Sequence, residues 1–313
     1  MTLLGKYELL QQLGAGSMGI VYRARDTILD REVALKVMRP ETQVENETLE
    51  RFRREARAGA QLKHPSIVTV YDMGETEGSG TYIAMELLDG TDWRAALKER
   101  ASLSLGFKIN LIVQVCEGLG HAHRHGIVHR DVKPSNLFIH QKNQAKILDF
   151  GIARLATSRL TRTGKILGTP NYMAPEQIIG QKCDSRSDLF SAAMVSFEFL
   201  SGSHPFQAPF IPKRIANDLP DRLTDIDPRL PVELENVLQK AMDKDPEERF
   251  QTGEEFASAL RGVAATADVS LGQTAAGSGH QDDLTETLTV AYSPDNPTVA
   301  AKEQETSGPE FIP

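Results

Sequence analysis

The sequence predicts an α+β protein in which a strand-rich part precedes a larger helical part. Up to residue 88, short runs of alternating apolar residues are bounded by glycine-rich turns, which is typical of strands. From about residue 90 to residue 262, apolar residues recur at helical spacing. We therefore expect a small β-rich lobe over 1–88 and a helical lobe over 89–263. Few large apolar residues follow, so we expect a disordered acidic tail over 264–313.

The first lobe is predicted to contain five strands and one helix. The segments are YELLQQLGAGSMGIVYRARD (two strands around a glycine turn), REVALKVM, the helix NETLERFRREARAGAQLKH with Asn46 as its N-cap, IVTVYDMG and TYIAMELL. The chain leaves this lobe near Leu88, and a cleft between two lobes is a common ligand site.

The second lobe is predicted to be built on helices. One helix buries a face made of Ile109, Ile112, Val113, Cys116 and Leu119 and ends near Gly126. Further helices are predicted over 187–201, 231–242 and 253–261.

Composition excludes several classes of protein. The chain has 313 residues, 40% of them hydrophobic, and a net charge of −8, most of which lies in the tail, where eight acidic residues face one lysine. No basic face suggests nucleic-acid binding. The two cysteines do not have the spacing of a metal site or a disulfide framework. Because we find neither a signal peptide nor an apolar run of membrane-spanning length, we expect a soluble, cytoplasmic chain.

The most informative stretch is IVHRDVKPSNLFI, which is followed by AKILDFG. The apolar residues around 137–139 and 147–148 predict a small β-hairpin. Such a hairpin would bring Asp131, Asn136 and Asp149 to one rim. Two carboxylates and an amide suit Mg²⁺ and a hydroxyl nucleophile, so we interpret this stretch as a site.

A glycine-rich turn supplies a second candidate element. Gly14, Gly16 and Gly19 fit G-x-G-x-x-G, which alone is a weak signal and also occurs in dinucleotide-binding folds. Those folds need a helix directly after the glycines, whereas a strand follows here, and no Walker A motif is present. The order of strand, glycine-rich turn and strand, with Lys36 on the next strand, suits a loop whose backbone amides approach phosphates while Lys36 reaches the same phosphates. An ammonium among apolar neighbours needs a charged partner, and Glu55 is the best candidate.

His121, His123, His125 and His129 raise the alternative of a metal cluster. The first three are two residues apart in turn, and side chains at that spacing diverge on a helix. We therefore expect no metal site there and interpret His129 as a packed structural residue.

Together these motifs resemble the eukaryotic-like (Hanks-type) serine/threonine protein kinases, closest to the bacterial branch, over residues 7 to about 262. The matching segments are LGAGSMGIVY, VALK, FRREA, HRDVKPSN, DFG and GTPNYMAPEQ, and Asp188 and Arg249 resemble the anchors beneath the catalytic loop and behind Glu176. The resemblance implies a bilobal kinase fold and transfer of the γ-phosphoryl group of ATP to protein hydroxyls.

The resemblance also implies roles for individual residues. Asp131 would accept the substrate proton, Lys133 would neutralise the moving phosphoryl group, and Lys36 with Glu55 would hold the phosphates. Asn136 and Asp149 would bind Mg²⁺, with Mn²⁺ as an alternative. The implied ATP-binding residues are Leu13, Gly14, Gly16, Gly19, Val21, Ala34, Lys36, the gatekeeper Met85, Glu86 and Leu88 of the hinge, Asp92 for the ribose, Leu137 beneath the adenine, and Asp149.

Specificity and regulation follow from the same resemblance. Lys133 and Thr169 favour serine/threonine over tyrosine as acceptor. Arg130 precedes Asp131 and offers a cation to a phosphorylated activation loop, where Thr161 and Thr163 match paired autophosphorylation positions. The alternative is that these threonines are ordinary polar loop residues.

One position departs from the family. Gly59 stands four residues after Glu55, where an apolar side chain usually packs against the phenylalanine of DFG. Glycine inside a helix also costs about 0.5–1 kcal/mol relative to alanine. We therefore predict a mobile helix whose inward position is stabilised by phosphorylation or by a partner.

Two rival functions remain open from the sequence: a pseudokinase scaffold, and a small-molecule kinase similar to the aminoglycoside phosphotransferases. The expected partners are proteins bearing Ser or Thr, a phosphothreonine-binding module at Thr285 to Leu288, and a second copy in a homodimer through the smaller lobe. A passive linker is an equal interpretation of the tail. The chain is either a soluble kinase or one cut before a membrane helix.

Overall fold

The structure of the protein is a computed structural model, and it describes residues 2–16, 19–38, 46–76, 80–99, 103–141, 143–150, 170–207, 209 and 211–266. Within them a small β-rich lobe is followed by a larger helical lobe, which confirms the predicted α+β fold.

The small lobe is a six-stranded antiparallel sheet with one helix. Its elements are β1 (Thr2–Leu4), β2 (Tyr7–Ala15), β3 (Gly19–Asp26), β4 (Arg31–Met38), α1 (Asn46–Gln61), β5 (Val70–Thr76) and β6 (Gly80–Met85), with the strand order β1-β2-β3-β4-β6-β5. Phe52 and Ala56 on α1 pack against Met38 and Ile83 of the sheet. Because α1 lies on the sheet through this apolar face, its other residues are held at a fixed distance from β4.

The large lobe is built around two buried helices. Its elements are β7 (Gly90–Asp92), α2 (Trp93–Glu99), α3 (Leu105–Arg124), β8 (Leu137–His140), β9 (Gln144–Ile147), α4 (Pro175–Ile178), α5 (Ser185–Ser201), α6 (Ile211–Asn217), α7 (Leu223–Ile226), α8 (Val232–Ala241) and α9 (Gly253–Thr266). Helices α3 and α5 contribute more buried residues to the core of this lobe than any other of its elements. Gly126 has a φ of 73° just after α3, so the predicted stop is correct.

The lobes are joined at two places beneath the cleft. Residues 86–89 form the covalent connection and lack regular structure. The segment before β5 also bonds to β9, because the Val68 amide donates to the Ile147 carbonyl at 3.0 Å and the Ile147 amide donates to Ser66 at 2.8 Å. The hairpin that was predicted from the sequence is β8 and β9, and β7 pairs with β8 as a third strand. This sheet carries the site residues at the lobe junction.

Several elements differ from the sequence prediction. Strand β1 and the short helices α2, α4, α6 and α7 were not predicted. Asn46 is the first helical residue of α1 rather than the residue before it. Helix α9 continues to Thr266, beyond the expected end of the lobe at residue 263, because Ala264 is buried on its apolar face.

Candidate active site

A buried ammonium lies between two carboxylates at the junction of the lobes. Lys36 on β4 contacts Glu55 of α1 at 2.6 Å and Asp149, just after β9, at 2.7 Å. Lys36 is 5% exposed and Glu55 is 7% exposed. The expected Lys36–Glu55 contact therefore forms, and it exists because α1 packs on the sheet beside β4.

Burial and charge act in opposite directions in this triad. Burial lowers the pKa of Lys36, but attraction to Asp149 and Glu55 outweighs it, so the pKa lies above its ordinary value. Burial raises the pKa of Glu55, and the nearby Asp149 charge raises it further against the opposing effect of Lys36. Two carboxylates thus share one buried cation, which leaves excess negative charge facing the cleft.

The segment after α3 holds Asp131, Lys133 and Asn136 together. The Asn136 amide donates to the Asp131 carbonyl at 2.8 Å and to its carboxylate at 3.2 Å. Lys133 Nζ lies 3.1 Å from the same carboxylate. The Leu148 amide donates to the Asn136 carbonyl at 2.8 Å, so the segments carrying Asn136 and Asp149 are adjacent. The hairpin therefore brings these residues to one rim, as the sequence predicts.

Asp188, at the start of α5, supports this segment from below. Its two carboxylate oxygens accept from the backbone amides of His129 and Arg130, each at 2.7 Å. His123 also contacts Asp188 at 2.8 Å, and the His129 ring lies 3.0 Å from the Leu148 carbonyl. His129 is fully buried, in agreement with its predicted structural role.

The anchors predicted from the sequence also form. Arg249 makes two contacts of 2.9 Å with the Glu176 carboxylate, and both side chains are buried. Ser187 donates to Glu176 at 2.6 Å. Burial raises the pKa of Glu176, but hydrogen bonding and attraction to Arg249, together with the Ser187 hydrogen bond, outweigh it, so the pKa lies below its ordinary value.

An apolar cluster covers the cleft from the small lobe. Leu13, Val21 and Ala34 pack together with Met85 and Leu87. Ala34 is directly opposite Met85 in the ladder between β4 and β6. These side chains could cover one face of a flat apolar ring in the cleft.

The expected floor residue needs a correction. Leu137 lies in the core of the large lobe, 1% exposed, and not at the hinge. Its neighbour Phe138 packs instead with Val68 and Leu148, against Met85 and Leu88. Successive side chains of β8 point to opposite faces, so only one of these two residues can face the cleft.

Hinge and ribose positions have more internal contacts than the sequence indicates. The Glu86 amide donates to Thr69 at 2.8 Å, which leaves its carbonyl for a ligand, and its carboxylate accepts from Lys146 at 2.8 and 2.9 Å. One carboxylate oxygen of Asp92 accepts from the Ala95 amide at 2.7 Å and caps α2. A ribose contact by Asp92 stays a prediction.

The glycine turn is described except for Ser17 and Met18. Gly14 pairs with Val21 across β2 and β3, and the Gly16 amide donates to the Gly19 carbonyl at 2.8 Å. A Cβ atom at Gly19 would lie 2.3 Å from the Val37 carbonyl oxygen, so no other residue fits there. The activation loop positions Thr161 and Thr163 lie outside the described residues.

Gly59 lies against β5. A Cβ atom there would lie 2.7 Å from a methyl group of Val70. A small, partly open cavity adjoins Gly59 and is lined also by Ala56, Met85 and Phe150. Val70 fills the place that a Cβ atom at Gly59 would take, so no side chain extends from this position toward Phe150. Mobility of α1 stays a prediction.

The histidines do not form a metal centre. In the part of the chain that the structure describes, no group of three or more His, Cys, Asp or Glu side chains is placed to hold a metal ion. The rings of His64, His121 and His125 instead pack against one another at tilted angles, with centroids 5.1 and 4.5 Å apart. Among the described helices, none is both long enough and apolar enough to span a membrane.

Comparison with known proteins identifies the family to which this architecture belongs. Residues 7–259 match the family described as the protein kinase domain. The chain belongs to this family. The resemblance inferred from the motifs is therefore confirmed.

Two curated relatives and one solved structure illustrate the similarity. The chain is 37% identical over 262 residues to the serine/threonine-protein kinase PrkC of Bacillus subtilis, covering 82% of this chain and 40% of PrkC. It is 38% identical over 269 residues to PknA of Mycobacterium tuberculosis, covering 84% of this chain and 62% of PknA. The crystal structure of the M. tuberculosis PknI kinase domain superposes with a TM-score of 0.68 at 30% identity, covering 84% of this chain and 98% of that domain.

The kinase-family chain spans about 40–62% of the length of these curated relatives. Sequence analysis did not identify three contributors to the site: Phe138 at the hinge, Lys146 beneath Glu86, and Gln177, which bonds to the Arg130 carbonyl. Phe138 had a signal in strand alternation, whereas the partners of Lys146 and Gln177 are distant in sequence.

Proposed function

We propose that this chain is an ATP-dependent protein serine/threonine kinase. The observation that carries the proposal is the convergence of Lys36, Glu55 and Asp149 with Asp131 and Asn136 at one lobe junction. A packed core requires no such set of polar groups, and the protein kinase family uses one for phosphoryl transfer.

The phosphates of ATP would be held from the small lobe. Lys36 would donate to the α- and β-phosphates while Glu55 keeps its ammonium in place. Its present contact with Asp149 would then be exchanged for one with the nucleotide. The adenine would lie below Val21 and Ala34, above Phe138, and would bond to hinge backbone groups such as the Glu86 carbonyl.

The donor set fits a divalent metal ion. The Asp149 carboxylate and the Asn136 amide oxygen are hard ligands on adjacent segments, and the excess negative charge of the triad favours a cation there. When bound, Mg²⁺ (or Mn²⁺) supplies charge neutralisation for the phosphates. These two residues would hold it.

Asp131 would orient the acceptor hydroxyl and take its proton as the new P–O bond forms, while the bond between the γ-phosphorus and the β–γ bridging oxygen breaks and ADP leaves. Lys133, which contacts the Asp131 carboxylate, would lie beside the transferred group and offset its charge. Most of the rate enhancement would come from positioning and charge stabilisation, because the loose transition state needs little covalent assistance.

Asp131→Asn tests this assignment. We expect γ-phosphate transfer to a generic protein substrate to fall at least about 100-fold, since a general base contributes roughly 10²–10⁴. Binding of a fluorescent ATP analogue should be retained. Asp30→Asn is the matched control, because Asp30 lies in the exposed turn between β3 and β4. A wild-type protein that binds ATP without transferring phosphate would favour the pseudokinase, and phosphate transfer to aminoglycosides alone would favour the small-molecule kinase.

Regulation by loop phosphorylation belongs to the same proposal. Arg130 directly precedes Asp131, and its buried Nε has no hydrogen-bond partner among the described residues. A phosphate on the neighbouring loop would pair with the positive charge of this guanidinium. Thr161 and Thr163 are the proposed autophosphorylation sites. A mass spectrum of active protein without phosphate on this loop would contradict the idea.

Partners and location are further parts of the proposal. Protein substrates bearing Ser or Thr, a phosphothreonine-binding module and a second copy joined through the smaller lobe are the proposed partners. We assign the chain to the cytoplasm, where ATP is available; Cys116 and Cys183 are free thiols, as expected in that compartment.

A further inference from the structure

The residue before Asp131 has an unusual backbone conformation. Arg130 has a φ of 64°, in the left-handed region that residues with a side chain seldom adopt. Such a conformation persists only when its surroundings fix it, and it commonly occurs at functional sites. The groups that fix it therefore also determine where Asp131 points.

Two of those groups lie below the segment. The Asp188 carboxylate accepts from the Arg130 amide at 2.7 Å, and the Asp131 amide donates to the His129 ring at 3.2 Å. Both contacts involve N–H groups. The second of these contacts holds the Arg130–Asp131 peptide unit only at its N–H end and at a long distance, and neither contact supplies a donor to the carbonyl oxygen at the other end of that planar unit.

Gln177 supplies the contact to that carbonyl. Its Nε2 donates to Arg130 O at 3.1 Å, and its Oε1 accepts from the Ala174 amide at 2.8 Å. The two ends of one side-chain amide thus connect the start of α4 with the catalytic segment, 47 residues away in sequence.

Gln177 is itself on a rigid support. The preceding residue, Glu176, is buried and bonded to Arg249 and Ser187. Because this anchor fixes the backbone of α4, the Gln177 amide has little freedom to follow Arg130 if the peptide unit rotates. Pro175 and Glu176, the last two residues of the GTPNYMAPE segment, lie in α4, so Gln177 links the end of that segment to the Arg130 carbonyl.

We propose that Gln177 is a positioning residue for Asp131, which fixes the strained Arg130–Asp131 peptide unit through the Arg130 carbonyl. The inference rests on the proposed role of Asp131. By this inference, the end of the activation segment directly determines the orientation of the Asp131 carboxylate. A displaced α4 would therefore misalign Asp131 without altering the ATP site.

The two halves of the Gln177 amide can be tested separately. Gln177→Glu keeps an oxygen for the Ala174 amide but has no donor for Arg130, whereas Gln177→Met has a similar length and loses both contacts. Gln181→Glu is the matched control, because it makes the same change at an exposed residue of the same segment. All proteins would be compared at equal phosphorylation, checked by intact mass.

We expect kcat toward a generic protein substrate to fall roughly threefold to tenfold in both Gln177 variants, the range for one lost hydrogen bond. KM for ATP should stay within twofold, and the Tm of Gln177→Glu should fall by no more than a few degrees, because one hydrogen bond is lost. A wild-type kcat in Gln177→Glu would overturn the inference. It would also be overturned if kcat fell together with ATP affinity and with a large fall in Tm, as a general loss of stability would cause. Asp131→Asn distinguishes the two levels: if it retains activity, the role of Asp131 fails, whatever Gln177 does.

Discussion

Glu55→Gln should separate catalysis from stability at the buried triad. In the wild type, Glu55 and Asp149 share the Lys36 ammonium at 2.6 and 2.7 Å. The substitution removes one of two negative charges but keeps an oxygen that accepts from Lys36. We therefore expect the nucleotide-free protein to become more stable while phosphoryl transfer becomes slower.

The sign of the effect follows from the pKa of Glu55, which burial raises above its ordinary value. In the folded state Glu55 binds protons more readily than in the unfolded state, so its contribution is fully present below the unfolded pKa and is lost as the pH rises through the folded pKa. A tenfold difference in proton affinity between the two states corresponds to about 1.4 kcal/mol. The variant should therefore match the wild type near pH 5 and exceed its free energy of unfolding by about 1–3 kcal/mol at pH 8.

Urea denaturation of dephosphorylated, nucleotide-free protein at pH 5, 7 and 8 measures this difference. Glu75→Gln is the control, since that exposed carboxylate contacts Arg53 of the same helix, and exposed pairs contribute about 0–1 kcal/mol. Activity of Glu55→Gln should fall about tenfold or more, because Lys36 loses a charge-assisted partner. A variant less stable than the wild type at pH 8, or a difference independent of pH, would refute the reasoning.

Two further predictions concern neighbouring features. Lys146→Met leaves the hinge carboxylate of Glu86 without a charged partner in a half-buried site. It should therefore lower the free energy of unfolding by about 2–3 kcal/mol and raise KM for ATP. Unchanged values in urea denaturation and ATP titration would contradict this. Gly59→Ala should cost about 1 kcal/mol, since its Cβ would meet Val70 at 2.7 Å, and should change basal activity. Combined with Val70→Ala it should cost less than the sum of the two, and additive losses or unchanged activity would reject the idea.

Much of the site could be predicted because its residues carry strong local patterns. Lys36 stands in an alternating strand, and an ammonium in such a place requires a counter-charge, which the helix supplies at Glu55. Asp131, Asn136 and Asp149 flank a hairpin whose pairing follows from apolar alternation. Short elements gave weaker signals: β1 has three residues and α2 has seven, too few for a clear periodic pattern.

The error at Leu137 has a specific physical cause. All four residues of β8 are buried, because one face packs on the large-lobe core and the other on the hinge. A strand with no solvent-facing side shows no polar–apolar alternation, and its two faces cannot be told apart from its own sequence. Gln177 shows a different limit: a polar residue in a short helix does not reveal a partner that the fold brings to it from 47 residues away.

The charge distribution makes this site costly in folding free energy. Asp149 and Glu55 share the single Lys36 ammonium, and burial together with the nearby Asp149 charge raises the pKa of Glu55. An all-apolar cleft would be more stable, but it could not exchange Asp149 for a nucleotide on Lys36. Under the proposed function, a divalent metal ion beside Asp149 would offset the charge of the two crowded carboxylates, so the same arrangement that lowers the stability of the protein would favour binding of a metal–nucleotide complex.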